Sequence, residues 1–185
     1  MSQVDSSKKI NIVLGLGRSG IGAAKLLSLG GKKVIVLENS QGEKFKQVSN
    51  ELIELGAEVN LLGKPLDITN FSPWIDNIES VITSPGIPWN HSALKALRKQ
   101  KIHVEGEIAL AWSHLKHIPW IGVTGTNGKT TVTQMLQHIF KSNLTRSDIG
   151  GNVGQSVTEL AFNYQSLKDQ EPNWLIIELS SYQIE

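Results

Sequence analysis

The chain contains no cysteine. That removes a disulfide framework, a thiolate metal site and a thiol nucleophile from the chemistry open to it, and it fits a reducing, cytoplasmic setting. A surplus of charge is also missing. Eighteen Lys and Arg stand against 17 Asp and Glu, a formal net charge of +1, so bulk electrostatic attraction to nucleic acid or to a membrane surface is not expected. No apolar run approaches the roughly 18 residues that a membrane-spanning helix needs. The polar stretch Met1 to Lys9 lacks the apolar region of a secretory leader. The histidines His91, His103, His114, His117 and His138 are scattered, without the spacing of a metal site. What remains is a globular composition, 39% hydrophobic and 19% charged in 185 residues, enough for one large domain or two small ones.

Glycine, in contrast, is concentrated in loops that follow apolar runs. The most informative is Ile121-Gly122-Val123-Thr124-Gly125-Thr126-Asn127-Gly128-Lys129-Thr130-Thr131. An apolar segment ends in a glycine-bearing turn, and a helix-like segment, Val132 to Phe140, follows. Successive backbone N–H groups of such a turn, together with the positive end of the helix dipole, can bind a polyphosphate. Lys129 would add a point charge on the β/γ oxygens, and the Thr130 hydroxyl a ligand for Mg²⁺. The general phosphate-loop pattern needs glycine at position 123, where this chain has valine, so only a shorter form stands here.

The rest of the chain alternates strand and helix. Ile10–Leu14, Val34–Leu37, Val59–Leu62, Ile78–Thr83, Ile102–Val104 and Trp174–Leu179 read as strands, the apolar ones as buried parallel strands. Ile21–Leu29, Phe45–Leu55, Ser92–Gln100, Ile108–Leu115 and Val157–Phe162 read as helices. The order predicts an α/β protein with a parallel, doubly wound sheet in residues 1–106, followed by a second α/β unit in residues 107–185.

Three further features bear on ligands. Gly15-Leu16-Gly17-Arg18-Ser19-Gly20 follows a strand and opens a helix, and Glu38 closes the next strand. This satisfies the dinucleotide fingerprint in spacing and context. It points to a nucleotide diphosphate at the helix N-terminus, though glycine needed for packing alone gives the same letters, and the glycines do not choose between NAD and another diphosphonucleotide. Arg18 and Ser19 are placed to bond phosphate oxygens, or Arg18 is simply solvated. Ser84-Pro85-Gly86-Ile87 lies at a strand's C-terminal end, where ligands sit in an open α/β sheet, but Pro-Gly is also an ordinary turn. Gly150-Gly151-Asn152-Val153-Gly154 reads either as a flexible loop or as a presentation of the Asn152 amide to a ligand. Glu178 closes an apolar strand, a position suited to a second Mg²⁺ anchor beside the loop threonine.

Thr-Gly-Thr-Asn-Gly-Lys-Thr-Thr (124–131), Gly-Gly-Asn-Val-Gly (150–154) and Glu-Leu-Ser-Ser-Tyr-Gln (178–183) together resemble the central domain of the Mur ligases. The first segment, Gly-Leu-Gly-Arg-Ser-Gly, with Ser-Pro-Gly-Ile at 84 and Gly-Glu-Ile at 106, resembles the branch of that family that adds D-glutamate to UDP-N-acetylmuramoyl-L-alanine in peptidoglycan synthesis. The resemblance implies a Rossmann-like first domain that holds the UDP of the muramoyl substrate rather than NAD, and an ATP-binding phosphate-loop domain after it. Gly17, Arg18, Ser19, Gly86 and Asn152 are then the substrate-binding residues. Gly125, Thr126, Asn127, Gly128, Lys129, Thr130 and Thr131 are the ATP-binding residues. Lys129, Thr130 and Glu178 carry the chemistry, with Thr130 and Glu178 on Mg²⁺. The substrates implied are UDP-N-acetylmuramoyl-L-alanine, D-glutamate and ATP, with neither nucleic acid nor membrane insertion.

Two departures from the family qualify this. After the second strand the family often has Asp-Thr-Arg near the uracil, where this chain has Glu38-Asn39-Ser40. The family also continues past the position of Glu185, through the rest of the central domain and a third domain. That part brings a carbamylated lysine, a metal-binding histidine and the adenine, ribose and D-glutamate sites. By this comparison the chain is an N-terminal fragment, expected to be inactive alone, with an unfinished second sheet. Two other readings stay open: a nucleotide-binding relic without turnover, and an NAD(P)-binding oxidoreductase built on the Gly15 loop, which leaves the second loop and Glu178 unexplained.

Overall fold

The computed structural model of the chain describes residues 9–167, 170–180 and 183. Residues 1–8, and Ser181 and Tyr182 of the Glu-Leu-Ser-Ser-Tyr-Gln segment, lie outside the described residues. Two parallel sheets organise the fold. The first is built from β1 (Ile10–Leu14), α1 (Arg18–Leu29), β2 (Lys33–Glu38), α2 (Glu43–Glu54), β3 (Glu58–Leu61), β4 (Ile78–Thr83), α3 (Ser92–Lys99) and β5 (His103–Gly106), in the strand order β3-β2-β1-β4-β5. After α4 (Glu107–Leu115) the second comprises β6 (Trp120–Val123), α5 (Lys129–Ser142), β7 (Ser147–Gly151), α6 (Val157–Ser166) and β8 (Trp174–Glu178), in the order β6-β8-β7. All the pairings are parallel.

The apolar runs behave as strands buried on both faces. Ile10, Ile12 and Leu14 of β1, with Ile35 and Leu37 of β2, pack against Ala93, Leu94 and Leu97 of α3. Val13, Val34 and Val36 face the opposite way, against Ala23, Leu26 and Leu27 of α1 and Leu52 of α2. This two-residue alternation, apolar on both sides, is what covering helices on both faces demand. Asn11 interrupts the run without penalty. Its amide oxygen accepts from the Ser80 hydroxyl at 2.7 Å and its amide nitrogen donates to Glu79 at 3.2 Å, so the buried polar group is paired.

Helix α1 is buried on more than one side: Gly20, Gly22, Ala23, Ala24, Leu26 and Leu27 are all buried. The first sheet takes one side, and α6 takes another. The approach to α6 is close because α1 has glycine there; a Cβ on Gly22 would stand 2.5 Å from the Ser156 hydroxyl and 2.6 Å from that of Thr158. One apolar cluster runs without a break from Val13 and Leu26 through Leu110 and Leu115 of α4 to Leu160, Ala161 and Leu175. The chain passes from β5 to α4 at Gly106-Glu107, and the core is continuous across that point.

At the centre of this junction Glu107 is 3% exposed. Its carboxylate accepts from the Thr158 N–H at 2.8 Å and the Thr158 hydroxyl at 2.9 Å, tying the start of α4 to the first turn of α6. Burial raises its pKa above the ordinary carboxylate value of 4.5, against the opposing hydrogen bonds from Thr158 and Val157. In the window above pH 4.5 the native state therefore holds more protons at this site than the unfolded chain does. The corresponding stability is present in full below pH 4.5 and is lost as pH rises through the native pKa. Glu107→Gln keeps an acceptor for Thr158 and cannot ionise. The variant is expected to match the wild type near pH 4 and to exceed it in stability near pH 8. Urea unfolding of both proteins at the two pH values checks this; a loss near pH 8 with none near pH 4 would show that the charge itself holds the junction.

Most elements lie where the sequence pattern puts them, with two instructive differences. Helices α1 and α5 begin three residues before their apolar periodicity, at Arg18 and Lys129, because the polar residues of the Gly loops already form the first helical turn. The second difference corrects the loop reading of Gly150-Gly151. Both residues belong to strand β7, paired with Ile177 and Glu178 of β8. Among the described residues no helix is long and apolar enough to cross a membrane.

Candidate functional site

Strand order reverses between β1 and β4, and the crevice at the carboxyl ends of those two strands is where an open α/β sheet binds its ligands. The Gly15 loop and the Ser84 loop both emerge there. They are joined by the Ser84 hydroxyl, which donates to Leu14 O at 2.6 Å, while Gly15 N–H donates to Leu37 O at 2.8 Å. The glycines divide the labour. A Cβ on Gly20 would lie 1.9 Å from Gly15 O, so this glycine lets the helix sit on its own loop. A Cβ on Gly17 would meet nothing within 4 Å; the space over it is open. Gly17 caps α1 without any side-chain hydrogen bond, which leaves N–H groups of the first turn unsatisfied and directed outward.

Glu38 braces this loop. It accepts from the Leu16 N–H at 2.7 Å and from the Ser40 N–H at 2.8 Å, one at each oxygen. An acid in this position of a dinucleotide fold is offered to a ribose; here it is committed to backbone. Ser19 stands in the first turn of α1, and Gly86 lies in the exposed Ser84 loop. That loop lines a cleft of about 860 Å³ with Gly106, Ile108, Trp112 and Trp120 among its other walls.

Arg18 is exposed and also makes a contact that its sequence context does not suggest. Its guanidinium donates to Gly154 O at 2.7 Å and to Asn152 O at 3.2 Å, residues 136 and 134 positions away in the second unit. Nothing in the local sequence signals this partner.

The second constellation sits at the carboxyl end of the second sheet. Central strand β8 ends at Glu178, in register with Val123 of β6 on one side and Gly151 of β7 on the other. The loop after β6 turns through Gly125 and Gly128, both at positive φ, and Gly128 opens α5 with no side-chain cap. This again leaves the first-turn N–H groups facing out. Lys129 folds back so that its ammonium donates to Gly125 O at 2.7 Å, and the Thr130 hydroxyl donates to a carboxylate oxygen of Glu178 at 2.9 Å. Thr126, Asn127 and Thr131 are exposed around them. Glu178 is only 4% exposed. A buried carboxylate and a hydroxyl, both hard oxygen donors and already in contact, form a donor set that fits Mg²⁺. This ion takes one or two protein oxygens and completes its shell with water and substrate phosphates.

Asn152 links the two constellations. Its N–H donates to Glu178 O at 3.0 Å, and its carbonyl accepts from Arg18. Gly151 permits the approach: it has φ +100°, and a Cβ there would lie 2.3 Å from Glu178 O. The histidines are apart from both loops. His91 caps α3, His117 pairs with Glu171 at 3.0 Å, and His103 stands 3.6 Å from Glu105. Among the described residues no group of three or more His, Asp or Glu is arranged to hold a metal.

With this geometry in view, comparison with known proteins is specific. Residues 9–106 match the model of the N-terminal domain of MurD-like Mur ligases, and residues 123–185 match that of the Mur ligase middle domain. The UDP-N-acetylmuramoylalanine–D-glutamate ligase of Prochlorococcus marinus strain NATL2A is 54% identical over 185 residues, which is 100% of this chain and 39% of that protein. The ligase of the same name from Parasynechococcus marenigrum WH8102 is 49% identical over 174 residues, 94% of this chain and 37% of that protein. The chain thus spans between a third and two fifths of the length of these relatives. Among solved structures, a murein peptide ligase from Psychrobacter arcticus superposes with a TM-score of 0.54 at 18% identity, covering 94% of this chain and 38% of that one. A UDP-N-acetylmuramate:L-alanyl-γ-D-glutamyl-meso-diaminopimelate ligase from Neisseria meningitides gives 0.53 at 17%, covering 93% and 52%. At these identities the two structures speak for the fold alone.

Proposed function

The chain belongs to the Mur ligase family, and on that premise we propose that it is the part of an ATP-dependent ligase that holds a UDP-linked substrate and the phosphates of ATP. The reaction proposed is the addition of D-glutamate to UDP-N-acetylmuramoyl-L-alanine in cytoplasmic peptidoglycan synthesis. Residues 1–106 form the UDP-substrate domain and residues 107–185 belong to the ATP domain. The observation that carries this reading is the position of Asn152, in backbone contact with Arg18 of the first loop on one side and with Glu178 of the second on the other. Two nucleotide sites one loop apart suit a reaction in which a phosphoryl group must reach the far end of a nucleotide-linked substrate.

The chemistry follows from the groups. A carboxylate is a poor electrophile until one of its oxygens becomes part of a leaving group. In the first step a carboxylate oxygen of the substrate bonds to the γ-phosphorus and ADP leaves. In the second the D-glutamate amine nitrogen bonds to the acyl carbon, inorganic phosphate departs, and the ammonium proton is released as the amide forms. The first step brings two anions together. The outward N–H groups from Gly125 to Thr131 hold the polyphosphate, and the Lys129 ammonium exchanges Gly125 O for β/γ oxygens. Thr130 and Glu178 would hold Mg²⁺, which neutralises charge on the transferring group. Gly17, Ser19 and the α1 N-terminus take the diphosphate of the UDP substrate, with Gly86 and Asn152 along its length.

Calorimetric titration of the chain tests the substrate class. UDP-N-acetylmuramoyl-L-alanine is expected to bind and NADH is not, because Glu38 is already engaged by Leu16 and Ser40. Tighter binding of NADH than of the UDP-sugar would replace this reading with the oxidoreductase one.

A further inference from the structure

Among the described residues Arg18 is the one side chain of the first nucleotide loop that reaches the second unit by hydrogen bonds, and it does so with both terminal nitrogens of its guanidinium. The carbonyls it holds belong to Asn152 and Gly154, which flank the turn after β7. That turn is otherwise fastened to the second sheet by Asn152 N–H on Glu178 O, and by Gly151 N–H on Gln155 O, both at 3.0 Å. Its middle is exposed, with Asn152, Gly154 and Gln155 all open to solvent. A guanidinium fork on two backbone oxygens is charge-assisted and geometrically selective. Arg18 is also the first residue of α1, whose unsatisfied N–H groups face the open space above Gly17. A diphosphate in that space would stand within reach of the same guanidinium and, as a dianion, would compete for it better than two neutral carbonyls do.

We propose that Arg18 is a positioning residue for the Asn152 turn, a latch that fastens the turn in the free protein and is transferred to a diphosphate arriving at the Gly15 loop. Occupation of the first loop then frees the turn on its outer side. The inner side remains tied to Glu178, whose carboxylate bonds Thr130. A physical chain of contacts runs from the first loop through Arg18, the turn and Glu178 to the start of α5, and Arg18 is its two-state element. The transfer step rests on reading the Gly15 loop as a diphosphate site; the latch itself rests only on the two hydrogen bonds.

Amide hydrogen exchange over residues 150–156 of the 185-residue chain separates these parts, with UDP as the probe. In Arg18→Ala, exchange in this segment is expected to rise by roughly tenfold or more, since two charge-assisted bonds are lost from a local opening. In the wild type, saturating UDP is expected to give a similar rise, and in Arg18→Ala no further one. Arg18→Lys keeps the charge but not the fork, and is expected to lie between them. Unchanged exchange in Arg18→Ala would overturn the latch. A rise in Arg18→Ala with no rise on UDP binding in the wild type would overturn the transfer. Failure of UDP to bind the wild type by calorimetry would instead remove the diphosphate reading of the loop, and the transfer with it, while the alanine variant still tests the latch.

Discussion

A single methyl group added at Gly20 is expected to cost the fold about 3 kcal/mol, the upper end of the usual overpacking penalty, while the same methyl at Gly17 costs ligand binding and no stability. The Cβ of Gly20→Ala would stand 1.9 Å from Gly15 O and 3.2 Å from the Ser84 hydroxyl. The obstructing atom is backbone, and Gly15 N–H is itself bonded to Leu37 O, so the loop cannot retreat without breaking its seat on the sheet. α1 cannot retreat instead, because its other side lies against α6, where a Cβ on Gly22 would already stand 2.8 Å from the backbone nitrogen of Glu159. A loss of this size lowers the melting temperature by roughly 6–12 °C for a chain of this length. Gly17 has φ −76° and ψ 175°, extended backbone that alanine adopts freely, and its Cβ meets nothing. Gly17→Ala should therefore melt close to the wild-type temperature, since restriction of the unfolded chain offsets the poorer N-cap. Its methyl occupies the approach to the α1 N-terminus, so its affinity for UDP-N-acetylmuramoyl-L-alanine is expected to fall by about tenfold or more, the range of an obstructed phosphate contact. Thermal melts and titrations of the two variants check the pair. A Gly17→Ala protein that binds like the wild type would mean the open space is not the ligand's.

That contrast marks what a sequence can and cannot carry. The fingerprint spacing of Gly15, Gly17 and Gly20 places the loop, but which glycine serves packing and which serves a ligand depends on distances to Gly15 O that no spacing reports. The strand and helix order was legible because β1, apart from Asn11, and the centres of β2 and β8 are apolar runs, the pattern of strands covered on both faces. Strand β7 was not legible, because Ser147-Asp148-Ile149-Gly150-Gly151 has one apolar residue and two glycines. Those glycines are there for tertiary reasons. A Cβ on Gly150 would come 2.9 Å from Leu160 of α6, and one on Gly151 would strike Glu178 O. Residues that read as a flexible loop are thus glycine because the strand is crowded. The polar first turns of α1 and α5 escaped for another reason: Arg18, Thr130 and Thr131 are exposed, so no apolar periodicity marks them. Glu107 and Arg18 make their decisive contacts 51 and more than 130 positions away. These are long-range pairings between units, and local pattern carries no trace of them.

In a chimaera that joins these residues to the remainder of the Prochlorococcus marinus NATL2A relative, Lys129→Ala is expected to lower kcat by about 10²–10³-fold, the usual loss when one preorganised transition-state donor is removed. The structure explains why the effect should fall on turnover and not on folding. Lys129 lies on the surface of α5, and among the described residues its ammonium bonds Gly125 O alone. Losing an exposed contact of this kind shifts stability within about 0.5 kcal/mol. The charge matters when the bond from the γ-phosphorus to the bridging oxygen breaks and negative charge builds on that oxygen of the leaving ADP, with the incoming carboxylate close by. A fixed ammonium beside those oxygens stabilises that arrangement more than the ground state. Glu178→Gln serves as the companion variant. It keeps an acceptor for the Thr130 hydroxyl and removes the charge that would anchor Mg²⁺, so its activity should demand far more Mg²⁺ for half-maximal rate while its melting temperature holds. The parent chimaera must release ADP in a D-glutamate-dependent manner for either result to be read. If it binds both nucleotides yet never does so, while the intact NATL2A ligase turns over under the same conditions, the chain is a nucleotide-binding module without catalysis. If Lys129→Ala retains activity within about tenfold of the parent, a difference below the expected donor loss, the phosphoryl group is not transferred at the α5 N-terminus, and the assignment of this loop fails with it.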